Sequence, residues 1–214
     1  MSVIRATLVA MTAHANEKPR GREAQRLETR QRVYDAAMDE FRRSGVADAD
    51  IGAIISTAGV ARGTFYFHFP TKEHVLEEVE RNLVTRLSGD LGRFVSSEPD
   101  LWSTMSEVVR LVVAAESRLG PKLLRDVLAL HFSQTRPPGF GKPTDHPLVA
   151  IISREIARAQ QHAVVRAEVN AENGALFFLL GFYALLVTNH DSKPARSRVI
   201  DEFVASARHG LATR

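Results

Sequence analysis

Residues 51–72, IGAIISTAGVARGTFYFHFPTK, decide the fold. Ile51, Ile54 and Ile55 recur at helical spacing, with Asp50 placed to cap them. Ala58-Gly59-Val60 then reads as a tight turn, Arg62–Phe69 as a second short helix, and Pro70-Thr71-Lys72 as a restart. Two short helices about such a turn have the layout of a helix-turn-helix, whose second helix enters the DNA major groove.

The second helix carries the side chains that such a role needs. Gly63 lets the backbone come close to DNA, and Thr64 offers a hydroxyl and a methyl to base edges. Arg62, Tyr66, His68 and Lys72 supply donors within reach of phosphate oxygens, Lys72 beside a helix N-terminus. Phe65 and Phe69 are assigned to the core with Phe41 and Ile54, whereas Phe67 can face either way. The candidate DNA-binding set is therefore Arg62, Gly63, Thr64, Tyr66, Phe67, His68 and Lys72.

Upstream, residues 1–20 read as a disordered arm. Lys18, Arg20, Arg22, Arg26, Arg30 and Arg32 stand against Glu23 and Glu28, a basic lead-in of the kind that attracts phosphates. A helix follows from about Leu27, with Leu27, Tyr34, Ala37, Met38 and Phe41 on one face and Gly45 as its stop. Downstream, Thr71 is placed to cap a long helix in which Leu76, Val79, Leu83, Leu87, Leu91 and Phe94 recur every three or four residues.

Here the sequence becomes specific. GVARGTFYFHFPTKEHVL, with VYDAAMDEFRRSGV ahead of it, resembles the DNA-binding signature of the tetracycline-repressor (TetR) family over about residues 27–80. Ala49-Asp50 and Ile55 depart from the usual Thr/Ser and Ala of that pattern, which leaves the operator sequence open. The resemblance implies a regulator that binds an operator in double-stranded DNA as a homodimer and is released by a small hydrophobic effector. It also implies a three-helix DNA-binding domain over 21–72 and a ligand-binding and dimerisation domain over 73–214.

The remainder is patterned as helix throughout, giving an all-α chain of about nine helices. Trp102, Met105, Val109 and Val112 form one stripe, and Gly120-Pro121 separates it from Leu123, Leu124, Val127, Leu128, His131 and Phe132. QTRPPGFGKPTDHP, residues 134–147, reads as a loop. Asn170 can cap a helix over 171–189 that is apolar nearly all round, and a last amphipathic helix follows Lys193-Pro194. The effector pocket is expected among Trp102, Met105, Val109, Leu128, His131, Phe132, Phe178 and Phe182, with Tyr183 as a further polar group. The dimer interface is expected at Gly174, Phe177, Phe178, Gly181, Leu185, Val199 and Phe203.

Composition bounds the other classes. The chain has 214 residues, 44% apolar and 25% charged, with a net charge of +3, which suits a folded globular protein. With no cysteine, thiol catalysis and Cys-ligated zinc are excluded, and a reducing cytoplasm is the expected location. The longest apolar run, residues 175–187, is short for a membrane span and suits a buried helix. No HExxH, GxSxG or phosphate-binding Gly-rich loop is present, so an enzyme, a cofactor or a metal site is not expected; Asn189-His190-Asp191 reads as helix-end capping. The competing function is a helical protein-interaction module on the same scaffold, with weak or no DNA binding.

Overall fold

The computed structural model describes residues 21–131, 146–188 and 193–213. The expected N-terminal arm, most of the Pro-rich loop, Phe132 and Asn189-His190-Asp191 lie outside them, as does the side chain of His131. The described residues form nine helices: α1 Gly21–Ser44, α2 Ile51–Ala58, α3 Arg62–His68, α4 Lys72–Val95, α5 Leu101–Leu119, α6 Pro121–His131, α7 Pro147–Gln161, α8 Ala171–Thr188 and α9 Lys193–Leu211. Their only β-type pairing is one isolated bridge, Val165 to Ala212.

Local chemistry sets the boundaries. Asp50 accepts from the Gly52 amide at 2.7 Å, Asp100 from Ser103 at 3.0 Å, and Asn170 from Asn173 at 2.9 Å, each answering an unpaired first-turn donor. Gly59 ends α2 in the left-handed conformation at φ 63°, which glycine adopts without steric cost. Thr71 does precede α4, but its hydroxyl meets His74 Nδ1 at 3.0 Å rather than a backbone amide. Two positions differ from the sequence pattern. The first helix begins at Gly21, not near Leu27, and Leu27 is 52% exposed because nothing packs on that early stretch. Pro194 lies in the first turn of α9, where its missing amide is harmless.

Two cores form. The first gathers Val33, Ala37 and Phe41 of α1, Ile54 of α2, Phe65 and Phe69 around α3, and Val75, Leu76 and Val79 of α4. It also takes in Leu123 and Val127 of α6. The second core joins the rest of α4 to α5, α7, α8 and α9 around Leu91, Met105, Leu148, Ile152, Ile156 and Phe182.

The α8 helix has mean hydropathy 1.5 over 18 residues, enough by length and composition to cross a membrane. It packs instead on α7 and α9, burying Phe178, Leu179, Phe182 and Leu186. Phe178 stacks on Phe203 at 5.5 Å. The chain's last residues are stitched to the α7–α8 connection, Thr213 N–H donating to Val164 at 3.1 Å and Arg166 N–H to Leu211 at 3.1 Å. Arg196 pairs with Glu116 at 2.8 Å, tying α9 to α5.

The α8–α9 contact depends on a missing side chain. A Cβ at Gly181 would lie 2.7 Å from Phe203 Cε2, and the stack on Phe178 prevents the ring from yielding. Gly181→Ala is expected to destabilise the fold by about 1–3 kcal/mol. Gly174→Ala meets Ile156 Cδ1 at a tolerable 3.3 Å and gains roughly 1 kcal/mol of helix propensity, so its urea midpoint should stay near wild type. Equal midpoints for the two variants would show that the α8–α9 contact is loose.

Candidate nucleic-acid interface

The α3 helix has seven residues, too few to persist alone in water. Phe65 and Phe69, both fully buried, pin it to the first core. One step of 100° away from Phe65 stands Tyr66, and beyond it Phe67, both pointing to solvent. Phe67 is 69% exposed, the most exposed of the large apolar side chains among the described residues. Its open alternative is settled outward.

The other candidates lie on α3 or at the start of α4. Arg62 is exposed and lies over the Tyr66 ring at 5.7 Å, with its guanidinium 3.5 Å from the Tyr66 hydroxyl. Gly63 is exposed and an added Cβ there would touch nothing in the chain, so no internal contact calls for glycine. Thr64 and His68 are half-buried at the edge of α3. The His68 ring meets the Phe67 ring edge-on at 5.1 Å. Lys72 is also half-buried, and its ammonium donates to the Ala47 carbonyl of the α1–α2 turn. One of its three donors therefore has a structural task.

That turn is held from several sides. Val46 N–H donates to Asp126 Oδ2 of α6 at 2.7 Å, and Asp50 N–H to Glu40 Oε1 at 3.1 Å. Glu40 is buried, and its bonds from Arg43 and the Asp50 amide hold its carboxyl below the usual range. Arg30 forks onto Glu78, with one contact at 2.6 Å, and lies 4.4 Å over the Phe69 ring, locking α1 to α4. Arg26, one of the basic lead-in residues, lies with its guanidinium 5.7 Å over Phe67, whereas Asp126 does not stand out as a site residue in the sequence. No local pattern marks a contact 80 residues distant.

The remaining candidates divide. Met105, Leu128, Phe178 and Phe182 are buried in the second core and Val109 is half-buried against it. Trp102 is also half-buried against that core; its ring lies under the Arg208 guanidinium at 5.5 Å and borders an open surface cleft with Asp100, Ser103, Ser106, Glu107 and Arg110. Tyr183 is buried, and burial first, then the charge of Glu80, raises its pKa. Of the dimer candidates, Phe177 is exposed and Leu185 and Val199 are half-buried. Phe178, Gly181 and Phe203 meet one another inside the subunit, and Gly174 faces Ile156 and Leu211. On α8, residues 177 and 178 point 100° apart, and packing on α9 turns Phe178 inward and leaves Phe177 outward. Among the described residues, no cluster of three or more His, Cys, Asp or Glu side chains is placed to hold a metal ion.

Comparison with known proteins now applies. Residues 33–79 match the family model described as bacterial regulatory proteins, tetR family. Over 56 residues the chain is 48% identical to the HTH-type transcriptional regulator SrpR of Pseudomonas putida, covering 26% of each. Over 52 residues it is 41% identical to the HTH-type transcriptional regulator AcrR of Shigella flexneri, covering 24% of each. The chain thus spans about a quarter of the length of these curated relatives. The whole fold aligns with Thermus thermophilus FadR, a TetR-family transcriptional repressor in complex with lauroyl-CoA, at TM-score 0.66 and 20% identity, covering 86% of this chain and 96% of that one. Residues 33–79 thus carry the pattern of the tetR-family DNA-binding domain, the relatives matched over that stretch are transcriptional regulators, and the likeness to FadR extends the agreement to the fold.

His68 supplies a pH signature. Burial first, then the charges of Arg26 and Arg30, lowers its pKa from 6.5. Near that pH the unfolded chain binds more protons than the folded one. The stability that the neutral ring supplies is therefore present above pH 6.5 and is lost as pH falls below it. Urea midpoints should drop on acidification through that range, and His68→Gln should flatten part of the drop. An identical pH dependence in the variant would remove His68 from this role.

Proposed function

We propose that the protein is a DNA-binding transcriptional regulator that reads a palindromic operator as a homodimer and is released by a small hydrophobic effector. The observation that carries this reading is the outward face of α3. A short helix that buries Phe65 and Phe69 holds Arg62, Gly63, Tyr66 and Phe67 in solvent, where a major groove would receive them. An exposed phenylalanine beside a threonine suits thymine methyls, and the arginine, tyrosine and lysine donors suit the flanking phosphates.

Dimerisation is supported by the free side of α8. Phe177, Leu180, Ala184 and Val187 follow at steps of three and four and are all exposed, Phe177 by 65%. This stripe replaces Phe178, Gly181 and Phe203 as the proposed contact, with Phe177 retained. A two-fold partner would cover it and set two α3 helices at the spacing of successive major grooves, about 34–36 Å.

Effector release would work through the junction between the two cores. The α6 helix contributes Leu123 and Val127 to the first core and Leu128 to the second, while Asp126 holds the α1–α2 turn. An effector seated among Met105, Leu128, Phe178 and Phe182 that favoured a displaced α6 would draw the turn, and α3 with it, off operator spacing. The proposed pocket keeps these four, with Val109 at its edge, and omits Trp102. The lauroyl-CoA held by FadR supports a hydrophobic class of effector without naming one.

Two measurements test this reading. The protein should bind double-stranded DNA from a selected random pool, with affinity falling steeply as salt rises. Phe67→Ala should remove sequence preference with little change in stability, because its ring is exposed. Salt-insensitive binding, or none, would leave the scaffold as a protein-interaction module. Separately, Phe177→Glu should turn a dimer into a folded monomer in sedimentation equilibrium. A persisting dimer would place the interface elsewhere.

A further inference from the structure

The start of α1 makes no sense as packing alone. Residues 21–28 are all exposed, so two helical turns project beyond the domain with no core beneath them. Such a stretch is marginal in water by itself. Its arginines are ordered along the side that meets the DNA-binding domain. Arg30 is the inner anchor, paired with Glu78 and stacked on Phe69. Four residues earlier, Arg26 lies over Phe67 at 5.7 Å, and Phe67 is the most outward side chain of α3. Four residues earlier again comes Arg22, about 6 Å further along the helix axis. No ion pair joins Arg22 or Arg26 to an acid among the described residues, although Glu23 lies in the same first turn.

We propose that the overhang of α1 is a second DNA-contacting element, in which Arg26 and Arg22 bind phosphates of the strand that borders the groove occupied by α3. This rests on the DNA-binding reading above and adds residues to it. A cation resting on the rim of an aromatic side chain that enters the groove is held at the groove's edge, where the backbone runs. Stacking on Phe67 also reduces the rotamer freedom that Arg26 would lose on binding. The phosphates in turn would supply the partner that the first two turns of α1 lack among the described residues.

The test uses the full chain and a DNA duplex selected by the wild-type protein. Each phosphate contact contributes about 0.9 to the slope of log affinity against log salt. Arg22→Ala with Arg26→Ala should lower that slope by about 1.8 and weaken binding to all duplexes alike. Arg26→Lys should keep the slope. Arg32→Ala, on the opposite side of α1, should leave both slope and affinity unchanged. Thermal melting should be unaltered in every variant, since the stretch is exposed.

If the wild-type protein binds no duplex, the DNA-binding reading itself fails. If wild type binds with a steep slope that the double variant retains, the overhang is a free helix end and this inference is wrong. Weakened binding at unchanged slope, or a changed preference among duplexes, would likewise overturn phosphate contact and leave Arg26 as a positioning group for Phe67.

Discussion

The structure depends first on the burial of Phe65 and Phe69. A seven-residue helix has too few internal hydrogen bonds to persist, and Ala61 gives its start no side-chain cap. What fixes it is the insertion of two phenyl rings, one within α3 and one just after it, between α1, α2 and α4. Each buried phenylalanine contributes roughly 1.5–3 kcal/mol of transfer free energy. Those rings also fix the rotation of α3 about its own axis. With Phe65 and Phe69 inside, Arg62, Tyr66 and Phe67 have no choice but the outer face. Core packing and the proposed DNA surface are thus one constraint seen from two sides.

A second constraint acts on the α1–α2 turn. Gly45 reverses the chain at φ 83°, and the amides beyond it would be unpaired without help. The Val46 and Asp50 amides donate to Asp126 of α6 and Glu40 of α1, and the Ala47 carbonyl accepts from Lys72 of α4. The turn is therefore a point where the position of α6 is felt by the helix-turn-helix. The long helix α4 crosses both cores, as its periodic leucines and valines imply, but the contact from Asp126 is the more direct link to the turn. A hydrogen bond of 2.7 Å is sensitive to displacements that a 24-residue rod would absorb by bending.

Much of this was legible in the sequence because it is written in short-range terms. Asp50, Gly59 and Asn170 act on neighbours two or three residues away, and helical spacing separates Phe65 and Phe69 from Tyr66. What the sequence hides is either long-range or rotational. Asp126 looks like any surface carboxylate until the chain brings α6 against α1. Trp102 shares a stripe with Met105, yet it sits at the edge of that stripe, half-buried against the core with its indole under Arg208. The early start of α1 is hidden for another reason: Gly21–Glu28 has no apolar face to mark it as helix, and only Leu27 suggested burial, which the structure denies.

The case of α8 shows where composition stops and geometry begins. Its sequence is apolar on all sides, so no periodicity distinguishes an inner from an outer face. Packing on α7 and α9 makes the distinction. Gly174 and Gly181 bring α8 close to its neighbours and so define the inner side, with Phe178 and Phe182 beside them. Phe177, Leu180, Ala184 and Val187 are then left outside by rotation alone. A stripe of this kind in water is unfavourable by roughly 25 cal/mol for each Å² left uncovered. The same glycines that close the packing of α8 on its neighbours thus determine which apolar residues remain on its outer side. A change on the inner side of α8 would alter the outer side too, because rotating the helix by one residue would exchange Phe177 for Phe178.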